Sequence, residues 1–211
     1  MSEKLEDMTF GLGCSPSVLD GTEHIVEAEA KIPLPESYSW QNVMPPVRNQ
    51  GNAFTCVCQS LTGVLDFFTN ARNGVANVCN NYSIDELYAQ RAKKNLNGMT
   101  FKEALNYLKH HGLSGETING YGKVNSSDVA KYAIVMFGPI VCGLPVYNYT
   151  SKFWQKNGTS KGGHAVTLVG FDKEGFIIRN SWGPQWADKG YTKISYDDYN
   201  KNCFECWTVM P

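Results

Sequence analysis

The chain lacks an excess of charge of either sign. Its formal net charge is -1 over 211 residues and its isoelectric point is near 6.4, so no strong field draws it to nucleic acid or an anionic membrane. It also lacks an apolar run long enough for a membrane span. Met1 to Phe10 carries Glu3, Glu6 and Asp7 instead of the cationic and then apolar order of an export signal, so the chain reads as not exported. Internal repeats and low-complexity tracts are missing too. Seven cysteines cannot all pair internally, and an odd number suits a reducing compartment. The sequons at Asn81, Asn125, Asn148 and Asn157 are therefore read as chance matches, because the acceptor is modified only during secretion.

What is present suits a globular protein with a real core: 42% of the residues are hydrophobic and 18% charged. Up to Lys31 there are seven acids against two bases. The prolines of Ile32-Pro33-Leu34-Pro35 then force extended backbone, and a mildly basic body follows the acidic extension. Beyond Pro45-Pro46, the residues Val57, Leu61, Val64, Leu65 and Phe68 recur at helical spacing, with Thr55 as N-cap and Cys56 in the first turn. Ser83 and Glu86 form a capping-box pattern for a second helix to about Lys94. A third runs from Phe101 to His111 and stops at Gly112. After Gly115, short apolar or alternating runs predict strands over 139–144, 164–171, 175–179, 191–196 and 204–209. Helices first and strands second predict an α+β protein of two lobes. The divisions expected are an N-terminal extension over 1–33, a helical lobe over 34–118 and a β lobe over 119–211.

Cys56 is the first candidate for chemistry, because a helix N-terminus favours the thiolate that a nucleophile requires. Val47-Arg48-Asn49-Gln50-Gly51 precedes it. Gly162-Gly163-His164-Ala165-Val166 and Asn180-Ser181-Trp182-Gly183 follow, and Gly190-Tyr191-Thr192-Lys193-Ile194 comes after them. With Pro35-Glu36-Ser37-Tyr38-Ser39-Trp40, these segments resemble the papain-like cysteine peptidases, in a short, divergent form without the long pro-domain.

The resemblance implies a helical left lobe and an antiparallel, barrel-like β lobe with the cleft between them. It implies Cys56 as nucleophile, His164 as base and then acid, Asn180 as the group that orients the imidazole, and Gln50 as oxyanion donor. Trp182 would shield the Asn180–His164 contact and Trp186 would floor the leaving-group side. Gly98, Met99 and Gly163 would meet substrate backbone, while Gly143 and Leu144 would wall an apolar pocket. The reaction implied is hydrolysis of peptide bonds, endopeptidase action foremost. The expected partner is a peptide or protein, with no cofactor, metal, nucleic acid or membrane, in a monomer of cytoplasmic or virion-associated location. A non-catalytic peptide-binding module and a Cys-His acyl or amide transferase remain open alternatives.

The sequence departs from that family where Ala53-Phe54-Thr55-Cys56-Val57 stands in place of Cys-Gly-Ser-Cys-Trp. Ala53 removes a cysteine that is paired in relatives, and Phe54 replaces a glycine that lets substrate backbone approach. Cys203-x-x-Cys206 reads as half of a zinc site, a redox pair or, as favoured here, a structural element. Cys58 reads as core, and His110-His111 as charge placed at a helix end. Finally, Gly11-Leu12-Gly13-Cys14-Ser15-Pro16 has residues small enough to thread a cleft as an autoinhibitory plug, the alternative being a disordered or surface-wrapped tail.

Overall fold

The computed structural model describes residues 9–27 and 33–211. Glu3, Glu6 and Asp7 of the acidic run, and Ile32 of the proline boundary, lie outside the described residues.

Helix α1 (Cys56–Arg72) is buried on nearly every side, and its buried carboxylate is paired. The Asp66 carboxylate accepts from Arg48 at 2.5 Å and from the Asn80 amide at 2.8 Å. Thr55 makes no side-chain cap bond here, unlike the cap expected of it. In α2 (Ile84–Ala89) the Ser83 hydroxyl accepts from the Glu86 amide as the capping box requires. That helix ends at Ala89, short of Lys94, because Arg91 donates from both its backbone and its guanidinium to the Tyr88 carbonyl and closes a turn. Thr100 caps α3 (Phe101–His110), and Gly112, at φ +73°, takes the chain out of it.

Beyond α3, strand β2 (Gly120–Lys123) and helices α4 (Ser127–Phe137) and α5 (Tyr196–Asn202) join the predicted strands. None of the three was expected. Ser126 and Ser195 cap the two helices through the Val129 and Asp198 amides, so each hides behind a residue that reads equally well as loop. The expected strands form as β3 (Ile140–Val146), β4 (Gly162–Phe171), β5 (Gly175–Arg179), β6 (Tyr191–Ser195) and β7 (Glu205–Met210). They pair antiparallel in the order β2-β7-β3-β4-β5-β6, and β1 (Tyr38–Ser39) adds to β4. The segment after Pro35 thus leans on the β side although it precedes the helices.

The sheet separates two cores because its side chains alternate. Val141, Ala165, Val169 and Trp207 pack with α1 and α3, whereas Cys142, Leu144, Val166 and Leu168 pack with Ala133, Phe153 and Trp154. Arg179, 3% exposed, ties strand to helical side by donating to the Pro45 and Pro46 carbonyls at 3.2 and 2.8 Å. It fits because Gly63 has no side chain: a Cβ there would stand 2.8 Å from its guanidinium. This junction sets the N-terminal end of α1 against β4.

Candidate active site

Cys56 opens α1, so its backbone N–H is one of those left without an intrahelical partner. Its sulfur receives the Gly13 N–H at 3.4 Å, and Cys56 shares a core with Ala165, the residue after His164 on β4. The helix start and the histidine strand are therefore packed together.

On the β side, His164 Nε2 and Asn180 Oδ1 are 2.7 Å apart. An amide oxygen only accepts, so the proton lies on Nε2 and Nδ1 is the bare nitrogen. Nδ1 is buried and has no hydrogen-bond partner among the described residues. Asn180 Oδ1 also accepts from the Ser181 amide at 2.7 Å, which fixes its orientation. Trp182 covers the pair, with its ring 4.5 Å from that of His164 and 26° from parallel.

Gln50 is held at three points. Its backbone N–H donates to the Ser181 carbonyl, its Oε1 accepts from the Ser181 hydroxyl at 2.6 Å, and its Nε2 donates to the Ala53 carbonyl at 2.8 Å. The same Nε2 donates to a fourth group, the Gly11 carbonyl, at 2.7 Å.

That carbonyl belongs to the N-terminal extension, which runs through the cleft. Phe10 stacks on the outer face of Trp182 at 4.8 Å, nearly parallel. The Gly11 amide donates to the Gly51 carbonyl. Gly13 O accepts from Met99, Cys14 N–H donates to Gly163 O, and Ser15 N–H donates to Met99 O, at 2.7, 3.1 and 3.2 Å. Gly98 packs on Gly13. The tail backbone thus occupies the groups expected to bind substrate backbone at Gly98, Met99 and Gly163. Gly11 and Gly13 are required for this fit, since a Cβ on either would sit 2.2 Å from the Ala53 or Phe54 carbonyl oxygen.

Three expectations are corrected. The Cys56 thiol is not held as a thiolate: burial beneath the tail pushes it up, against the pull of four backbone amides, and burial brings His164 down to about 4. Desolvation outweighs the helix terminus here. Second, Leu144 is fully buried on the far face of β3, in the core with Phe153, so it lines no pocket. Gly143 faces the cleft side but is covered by the Phe204 ring, 2.4 Å from where its Cβ would be. Third, Trp186 is 1% exposed, edge-on behind Trp182, and donates to the Tyr149 carbonyl; it supports the first tryptophan instead of facing the cleft.

Sequence reasoning passed over Phe204, Glu205 and Lys102. Glu205 Oε2 accepts from the Ser17 amide at 3.4 Å and from Trp207 Nε1 at 3.0 Å. Lys102 on α3 pairs with Glu23 at 2.5 Å and Asp20 at 2.9 Å. The surplus of acids in the extension was the one signal that pointed to such a contact.

The family described as "Papain family cysteine protease" matches residues 114–207. A cathepsin L-like proteinase of Phaedon cochleariae is 24% identical, covering 92% of this chain and 70% of that protein. Human cathepsin O is 30% identical over 77% of this chain and 62% of its own length, so the chain spans about two thirds of the length of these curated relatives. Among solved structures, xylellain, a cysteine protease from Xylella fastidiosa, superposes with a TM-score of 0.79 at 21% identity, covering 96% and 97% of the two chains. Digestive procathepsin L 3 of Tenebrio molitor gives 0.74 at 19% identity, over 98% and 78%. The fold is theirs, and residues 114–207, which carry His164 and Asn180, match the papain family of cysteine proteases.

Proposed function

We propose that the chain hydrolyses peptide bonds through Cys56 and His164, and that residues 10–17 hold it inactive until they leave the cleft. The observation that carries this reading is the bare, buried Nδ1 of a histidine whose other nitrogen is fixed by Asn180, on the strand whose next residue, Ala165, packs in one core with Cys56. Cys56 passes its proton to Nδ1, and the sulfur attacks the substrate carbonyl carbon. The resulting oxyanion takes hydrogen bonds from Gln50 Nε2 and the Cys56 amide, in the place where the Gly11 carbonyl now rests. Collapse expels the amine, which takes the proton from His164. A water deprotonated by His164 then hydrolyses the thioester.

The tail escapes this chemistry because of what it turns toward the sulfur. The group at 3.4 Å is the Gly13 amide N–H, which donates to the sulfur and so engages the lone pair that would attack. The acidic residues Asp20 and Glu23 clasp Lys102 and anchor the segment beyond the cleft.

The direct test compares hydrolysis of a peptide library by the full chain, by a chain lacking residues 1–31, and by that shortened chain with Cys56→Ala. Strong cleavage by the shortened chain alone supports both parts of the reading. Equal cleavage with and without residues 1–31 removes the inhibitory role of the tail, and cleavage that persists in the alanine variant removes the peptidase assignment.

A further inference from the structure

Behind the cleft wall, three sulfurs unused by this chemistry converge. Cys142 on β3 stands directly opposite Cys206 on β7 in the antiparallel register. Cys203 ends α5 three residues earlier; it packs against the cluster that holds Cys142, Cys206 and Tyr199, and its Sγ donates to the Glu205 carbonyl at 3.3 Å. All three cysteines are free. Cys142 and Cys206 are buried, at 0% and 1% exposure, whereas Cys203 is partly exposed. It borders a surface cavity of about 190 Å³ that Lys123, Ser126, Asn200 and Phe204 also line.

We propose that Cys142, Cys203 and Cys206 form an oxidisable dithiol site in which a hydroperoxide reacts with Cys203 and one of the two strand thiols then closes a disulfide onto it. The Cys203 thiolate attacks one peroxide oxygen and releases hydroxide, leaving a sulfenic acid. A neighbouring thiol displaces that hydroxyl as water, so two thiols and one hydrogen peroxide give one disulfide and two waters. The environment divides the roles. The neighbouring Cys142 and Cys206 thiols hold the Cys203 thiol below its ordinary value, while burial pushes both partners up. The accessible sulfur is thus the one that ionises, and the enclosed ones keep their protons until the second step.

The location gives the bridge a consequence. Phe204 and Glu205 lie between the two cysteines of the 203–206 run. They are also the residues that cover Gly143 and receive Ser17 of the tail, so closing the bridge acts on the wall that the tail rests against.

The test reads bonds and not hydrolysis, so it stands apart from the peptidase assignment. The reduced full-length chain, and the same chain with Cys56→Ala to remove a competing thiol, are treated with one molar equivalent of hydrogen peroxide. Free thiols are then alkylated, and peptides are mapped by mass spectrometry without reductant. The expected result is a linkage joining Cys203 to Cys142 or Cys206, two hydrogens lighter and reversed by dithiothreitol. Both strand thiols should stay reduced in Cys203→Ser. The proposal is overturned if Cys203 remains alkylatable after the exposed Cys79 has been oxidised, or if it accumulates as an unpaired sulfinic acid. Linkage to Cys14 instead, or a Cys142–Cys206 bridge that forms equally well without Cys203, also overturns it.

Discussion

Gln50 shows how one side chain becomes a directed donor. Ser181 accepts from its backbone and donates to its Oε1, leaving Nε2 one free direction, which the Gly11 carbonyl occupies. Donors aimed at developing charge lower kcat by about 10²–10³ when removed. Gln50→Ala in the chain lacking residues 1–31 is therefore expected to lose kcat by that order with KM little changed. A loss confined to KM would show that Gln50 only binds. His164 illustrates the opposite dependence on surroundings, since burial, with Trp182 and Phe153 against its ring, holds it near 4. The residue types needed at this scale were readable in the sequence. The protonation states were not, because burial depends on what lies above each group.

At the scale of elements, the tail strand docks only because two of its residues lack side chains. A Cβ on Gly13 would sit 2.2 Å from the Phe54 carbonyl oxygen, and backbone yields less readily than a flexible side chain. Overpacking of this kind costs about 1–3 kcal/mol, so Gly13→Ala should raise hydrolysis by the full chain about tenfold. The shortened chain serves as the ceiling, and an unchanged rate would show that residues 10–17 do not limit access. The contact is with the backbone of Phe54, so it does not depend on the phenylalanine that replaces the family's glycine. Helices and strands with a clear period could be read from the sequence, whereas α4 and α5 could not. Both open at a serine that also marks a loop, and α4 is apolar on most of its circumference, so its helical stripe is faint.

Over the whole molecule, the clasp between Lys102 and the extension makes tail docking sensitive to pH. A hydrogen bond from Thr22 and then the Lys102 contact hold the Asp20 carboxyl below its ordinary range; Lys102 comes first for Glu23. Groups with depressed values stabilise the docked form above the usual carboxylate range and lose that contribution as pH falls. Burial raises the Glu205 carboxyl, but its hydrogen bonds with Ser17 pull it down, so the tail contact itself favours the ionised form. Lys102→Met isolates the first effect. At neutral pH, hydrogen exchange at the Cys14 and Ser15 amides should be faster in this variant than in the natural chain, and the ratio should shrink toward one as the solution is acidified. A ratio independent of pH would mean that the clasp does not govern docking.

Sequence alone determined the chemistry on offer: a cysteine at a helix start, a histidine and an asparagine on strands, a glutamine six residues upstream of the thiol, and an acidic extension with small residues. These could be read because each rests on local spacing and turn chemistry. Only the tertiary structure decided that the extension fills the cleft, that the thiol and imidazole beneath it are neutral, and that Cys142 joins the Cys203-x-x-Cys206 run. Each of those depends on which distant segments share a volume and exclude water from it, and no local pattern encodes that.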